Sequence, residues 1–190
     1  MEHYTQEKEL DNIDYTAVPW TKGVYETCTF NNCNFTEADM SRCRFIDCTF
    51  NGCNLSLAVI RDTAFLGVRF KDCKMLGIKF DTCNPFGLEV DFEGCQLKHA
   101  SFCRRRTRKG RFKNVQLEEA DFTESDLTQA VFEHCELHQA VFYQAILEQA
   151  DLRTAQNYTI DPESNRVKKA LFSLSGLPGL LAKYQIKIQP

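Results

Sequence analysis

The chain has 190 residues, of which 43% are apolar and 26% charged, and its formal net charge is −3. This is the composition of one folded domain, and it excludes a disordered chain and a membrane-embedded one. Two values are abnormal: 15 Phe beside one Trp, and 10 Cys beside 9 Gly.

The opening Met1-Glu-His-Tyr-Thr-Gln-Glu-Lys has no apolar signal-peptide core, and no stretch approaches the roughly 18 apolar residues of a membrane span. The expected location is therefore the cytoplasm, with the cysteines reduced. Residues 1–24 read as an N-terminal cap in which Tyr15 and Trp20 continue the pattern that follows.

From Tyr25 a large apolar residue recurs every five positions: Phe30, Phe35, Met40, Phe45, Phe50, Leu55, Ile60, Phe65, Phe70, Met75 and Phe80. The register slips by two residues and resumes at Phe92, running through Leu97, Phe102, Phe112, Leu117, Phe122, Leu127, Phe132, Leu137, Phe142, Leu147 and Leu152, with Thr107 as the exception. Thirteen of the 15 Phe lie on these two registers. Two positions before the large residue is a small slot, holding Cys28, Cys33, Ala38, Cys43, Cys48, Cys53 and their successors. Nine of the ten cysteines occupy it, Cys103 being the outlier, so cysteine reads as a small buried side chain exchangeable with alanine. A period of five fits neither the helix nor the alternating strand. Each unit reads as a short extended step with two residues inward, then a corner. Such units bury nothing alone and must stack.

Two interruptions read as loops: residues 84–91, which hold the two-residue slip with a Pro and a Gly, and 103–111, which lose the inward residue at Thr107. Beyond 155 the repeat is expected to stop. Asp161-Pro162 reads as the start of a short helix, and Ser175 with Pro178 as the start of another. Leu177, Leu180, Leu181 and Tyr184 would form one apolar helix face, and Ile186 and Ile188 alternate like a strand.

The segments Ala120-Asp-Phe-Thr-Glu, Ser125-Asp-Leu-Thr-Gln and Ala150-Asp-Leu-Arg-Thr resemble the unit of the pentapeptide repeat family, A-(D/N)-L-x-x. The resemblance implies an all-β fold: a right-handed quadrilateral β-helix of 20-residue coils over residues 25–155, stacked ~4.8 Å apart. A short helical cap would follow over 156–190. Within the family the chain looks most like the gyrase-protection branch, which includes quinolone-resistance, microcin-immunity and albicidin-resistance proteins. Cys33-Asn-Phe-Thr-Glu-Ala, Cys53-Asn-Leu-Ser-Leu and the tail Asn157-Tyr-Thr-Ile-Asp-Pro-Glu-Ser-Asn-Arg carry that likeness. It implies DNA gyrase as partner, with topoisomerase IV second, and protection of that enzyme from a poison by mimicry of DNA. It also implies a homodimer through Phe172, Leu177, Leu180, Leu181 and Tyr184; a lone cap is the plainer alternative.

Charge is distributed unevenly. Arg104, Arg105, Arg106, Arg108, Lys109, Arg111 and Lys113 form a basic cluster, whereas residues 114–152 carry Glu118, Glu119, Asp121, Glu124, Asp126, Glu133, Glu136, Glu148 and Asp151 with no Lys or Arg. The carboxylates lie off the inward positions and are expected to face solvent as a belt. A rod with regularly spaced negative charge resembles duplex DNA electrostatically, and a cationic saddle would be its partner; a solvated acidic face that keeps the rod soluble is the plainer reading. The Arg segment reads as a specificity loop, a solvated loop or a phosphate-binding patch. Direct nucleic-acid binding is not expected, because no helix-turn-helix, zinc finger or stacking platform accompanies it. A non-catalytic scaffold for another protein stands as the alternative. No catalytic residue, cofactor or metal is expected: His134 and His138 fall on different steps, and the Cys-x4-Cys runs lack the close Cys-x2-Cys spacing of zinc sites.

Overall fold

Two residues after each inward side chain the backbone enters the left-handed region, as at Asn32 (φ 52°), Glu37 (57°), Arg42 (62°) and Asp47 (50°). Each such corner turns the chain onto a new face, and four corners bring it back above itself. The structure, a computed structural model, describes residues 3–187 as a four-sided parallel β-helix. Its strands are β1 (His3–Gln6), β2 (Glu9–Asp11), β3 (Gly23–Glu26), β4 (Thr29–Asn31), β5 (Arg44–Ile46), β6 (Thr49–Asn51), β7 (Ala64–Lys71), β8 (Leu88–Glu93), β9 (Arg111–Lys113) and β10 (Val131–Glu133). All pairings are parallel, and Tyr25 pairs with Phe45 and Phe30 with Phe50, the expected 20-residue offset.

Every large residue of both registers is buried, and the rings form columns through the rod. Phe112 stacks on Phe132 at 4.8 Å and 4°, and meets Phe122 of the neighbouring column edge-on at 88°. These are the arrangements aromatic quadrupoles favour.

The slot residues do more than fill space. Some corners close on themselves, with the slot N–H donating to the carbonyl of the preceding large residue, as Ala120 does to Leu117 at 3.1 Å. Others follow a strand, where the carbonyl of the large residue is held in the ladder, as Phe30 is by Asn51, and a slot side chain of the next coil adds a second donor. Cys28, Cys33, Cys48, Cys53, Cys73, Cys95 and Cys135 each donate Sγ–H to such a carbonyl at 3.2–3.6 Å. The sulfur also faces the slot N–H of the coil below, Cys33 for Cys53 and Val115 for Cys135. Burial pushes the Cys48 thiol up to about 11 and Cys135 to about 12, so these thiols keep their donor proton at neutral pH. Cysteine and alanine are thus not freely exchangeable: seven of the nine slot cysteines follow strands, Cys43 and Cys83 close their own corners, and alanine mostly does the same.

The rod is longer than residues 25–155. β1 and β2 pair in register with β3 and β4, and Asp14 bridges Asn34, so three faces of the N-terminal segment already wind as coil. Trp20 plugs its end, stacked on Tyr25 at 4.7 Å, with its indole N–H on Cys43 Sγ at 3.3 Å. At the other end Arg166 bridges Ile146 and Leu171 bridges Asp151, so winding continues past 155. Asp161-Pro162 opens a turn rather than a helix, because the Asp161 carboxylate caps the N–H of Glu163 within a chain that returns to the coil. Asn165 then fills the slot, its side-chain amide donating to Phe142 O and accepting from Ala145 N, both at 2.9 Å.

The helical cap is short. A 3-10 turn at Leu174–Gly176, opened by Ser173 rather than Ser175, leads into α1 (Leu177–Leu181) and a second 3-10 turn. Gly176 and Gly179 allow the cap to settle on Tyr158: a Cβ at Gly179 would lie 2.1 Å from Tyr158 O. Ile186 is described but not in a strand, and Ile188 lies outside the described residues.

Candidate partner-binding surface

The 20-residue offset stacks the basic segment directly on the acidic one. Lys98 Nζ is 2.8 Å from Glu118, His99 Nδ1 3.3 Å from Glu119, and Arg104 Nη2 3.0 Å from Glu124. Arg108 holds Asp126 at 2.6 Å. Arg153 pairs with Asp151 and Arg166 with Glu148, each at 2.7 Å. Five of the nine carboxylates expected to face solvent as a free belt therefore have Lys or Arg partners, and Glu119 has the His99 ring beside it. Asp126 is buried outright, at 6% exposure. Burial alone would raise its pKa, but hydrogen bonds from Thr128 and Arg108 outweigh that and lower it. Asp121 caps Thr123 N at 2.8 Å, Glu136 accepts from His138 N and Asn157, and among the described residues Glu133 has no hydrogen-bond or ion-pair partner. The surface field of this region is much weaker than its sequence implies.

Part of the basic cluster is engaged in the same way, Lys113 included, on Glu93 at 3.1 Å. Residues 103–111 do not leave the rod as a loop. Arg106 bridges Asp126, Arg111 pairs with both Asp91 and Val131, and Thr107 points inward at 3% exposure where a larger residue belongs. Arg104 and Arg108 are paired, and Arg105 turns back to Asp81 O. The exposed side chains of Arg106, Lys109 and Arg111 carry no ion pair among the described residues.

The projecting element is the other insertion. After the 3-10 turn Phe80–Thr82 the chain leaves the coil at Asn84–Gly87, and the pairing offset grows from 20 (Phe45–Phe65) to 22 (Phe70–Phe92). Asn84 shapes the loop, accepting Phe86 N on its side chain at 3.0 Å and Gly87 N on its carbonyl at 3.2 Å. Gly87 is required where the loop rejoins: a Cβ there would lie 2.8 Å from Ala64 Cβ. Phe86 at the tip is 90% exposed. A groove of about 570 Å³ separates this loop from Arg106–Gly110 and is floored by Asp47, Gly67 and Arg69. An aromatic side chain held out beside guanidinium groups is the composition of a protein-interface anchor.

At the C-terminal end Phe172 packs on Tyr158 with centroids 5.7 Å apart, and Leu180 and Leu181 are half-buried. Leu177 and Tyr184 are exposed, the latter tied to Glu163 at 2.6 Å. Leu171 and Leu174 extend the apolar patch, Leu174 at 88% exposure. Sequence reading missed both, because the expected helix face began at Leu177. His134 and His138 are both exposed, and among the described residues no group of three or more His, Cys, Asp or Glu side chains is arranged to hold a metal. No helix among them is long and apolar enough to cross a membrane.

Stacked 20-residue coils, a projecting aromatic loop and an apolar end define a repeat solenoid. Residues 25–102 match the family described as Pentapeptide repeat region and residues 111–155 match Pentapeptide repeats, and the chain belongs to this family. Among solved structures it is similar to two trypsin-treated forms of QnrB1, a plasmid-mediated fluoroquinolone resistance protein. For one, the TM-score is 0.64 at 18% identity, covering 100% of this chain and 99% of that one. For the other, the TM-score is 0.62 at 17% identity with both chains fully covered. Full-length QnrB1 aligns with TM-score 0.53 at 19% identity over 97% of this chain. No curated protein matches the sequence.

Proposed function

We propose that this protein binds a type II topoisomerase, DNA gyrase first and topoisomerase IV second, and protects it from a poison such as a quinolone, albicidin or a microcin. The observation that carries this reading is the end-to-end correspondence with a fluoroquinolone resistance protein, from the first coil to the C-terminal cap. The action is non-catalytic and takes place in the cytoplasm, where the enzyme works. The rod competes for the surface that grips DNA, or destabilises the drug-trapped cleavage complex. Coil-to-coil ion pairing shifts the weight of recognition from the acidic belt to the loop bearing Phe86, with Asp121, Glu133 and Glu136 as the remaining acidic contacts. The patch formed by Leu171, Leu174 and Leu177, with Phe172, Leu180, Leu181 and Tyr184, joins two protomers. Nucleic-acid binding through the Arg cluster is disfavoured, since Arg104, Arg105 and Arg108 are already engaged within the rod.

The test is gyrase supercoiling and cleavage titrated with this protein, with and without ciprofloxacin or albicidin. Rescue of supercoiling together with loss of cleaved DNA is the expected result. No effect at any ratio would remove the topoisomerase and leave a scaffold for another protein.

A further inference from the structure

Arg105 stands out in the small slot. Its column holds Cys43, Thr63 and Cys83 below it and Ser125, Ala145 and Asn165 above. It is the only charged slot residue between Gly23 and Ala170. Its large partner is also inverted, Thr107 standing where a larger apolar residue belongs. The backbone supplies the reason. Corner N–H groups normally donate to the carbonyl 19 residues on, as Arg42 does to Arg61 and Asp47 to Leu66. At the onset of the insertion this step is missed: Asp62 N donates to Thr82 O, 20 residues on, and Asp81 O loses its backbone partner. Arg105 Nη2 donates to Asp81 O in its place. Asp81 Oδ1 and Arg105 Nε are buried beside this contact with no other partner. The Arg105 main chain is itself fixed, donating to Phe102 O at 3.0 Å and accepting from Asp126 N at 2.8 Å.

We propose that Arg105 is a positioning residue for the projecting loop. It reaches from a rigid coil to the last turn before Asn84 and sets where Phe86 stands over the groove. It thereby determines partner specificity through the loop, a role that rests on the docking reading above. A buried carbonyl without a donor is costly, and a guanidinium has the reach and the fork to serve it. The slot accepts so large a side chain because Thr107 has given up volume beside it.

The experiment compares Arg105→Met, which keeps the apolar length and removes every donor, with Arg105→Lys, which keeps a charge and a donor. Arg106→Met is the exposed neighbour control. Amide hydrogen exchange is read at Phe65, Phe86 and Gly87, with Asn32 and Gln149 as distant reporters. R105M is expected to speed exchange at the three loop-linked amides by roughly tenfold or more and leave the distant pair unchanged. R105K is expected to restore part of the protection, and R106M to leave exchange at all five amides as in the wild type. Exchange in R105M equal to wild type, or raised uniformly along the rod, overturns the anchor. If R105M does not fold, R105K alone decides: selective loosening at the loop supports the anchor, and none refutes it. The same variants enter the supercoiling assay, where R105M is expected to lose as much protection as Phe86→Ala. Full protection by R105M despite a loosened loop overturns the specificity role. If the wild type gives no protection, the topoisomerase reading fails while the exchange result still decides the anchor.

Discussion

The thiol of Cys53 lies 3.3 Å from the carbonyl oxygen of Phe30, on the coil below and 23 residues earlier. Six further cysteines repeat the contact, and it makes them hydrogen-bonding parts of the fold.

Cys53→Ala should therefore cost more than the loss of a sulfur atom. It removes one of two donors to Phe30 O and leaves a small void, together worth about 1–2 kcal/mol. Cys53→Ser retains donor and acceptor and should recover part of that loss. Urea unfolding of both variants checks this; equal stability of Ala and Ser would refute the hydrogen bond.

Thr107 offers the converse case. Its Oγ1 is buried without a partner. Thr107→Val keeps the shape and removes the orphan hydroxyl, so stability should rise by about 1 kcal/mol. A thermal melt showing no gain would place a water or another donor at that oxygen.

Asp39 gives a pH dependence with a defined sign. Hydrogen bonds from Lys22 and then Ser41 hold its carboxyl down to about 2, below the unfolded value of about 3.9. A depressed carboxylate adds stability that is fully present above pH ~4 and is lost as pH falls toward 2. The pair is largely exposed, so the contribution is small. An NMR titration of Asp39 should show a midpoint near 2, and a midpoint near 3.9 would mean the contact is absent in solution.

The ion pairs also rank the candidate binding residues. Glu118 and Glu124 are engaged by Lys98 and Arg104, so Glu118→Gln and Glu124→Gln should each change protective potency less than about threefold, whereas Phe86→Ala should cost about tenfold or more. Asp126→Asn is a poor test of binding, because the carboxylate is buried on Arg108 and Thr128. Potency in the supercoiling assay decides; a larger loss from the Gln variants than from F86A would return the recognition to charge.

Much of this architecture was legible, because burial in a solenoid depends on one short period. The two registers and the slip after Phe80 located the core from the spacing of large apolar residues, but they set the loop at 84–91, whereas only Asn84–Gly87 leave the coil and Leu88–Asp91 join β8. What escaped depended on the next coil. Glu118, Glu119 and Glu124 read as free acids, yet each stands 20 residues after Lys98, His99 or Arg104, so the coil period itself carried the signal. Residues 103–111 read as a loop because Thr107 broke the apolar pattern, but backbone pairing to Asp126 and Val131 holds that coil regardless of the side chain. Asp161-Pro162 has the chemistry of a helix start, and Asn165 overrides it by drawing the chain back onto Phe142 and Ala145.

The ladder gives the rod a mechanical symmetry that its sequence lacks. Backbone donors reach both ways between coils, Asn54 N to Cys33 O below and Asn32 N to Asn51 O above, so removing a layer from either end strands main-chain groups. Under tension each end therefore opens one costly layer at a time, and the end caps decide where peeling starts. Trp20 stacked on Tyr25 is the latch at one end, and Asn165 with the cap over Tyr158 is the latch at the other.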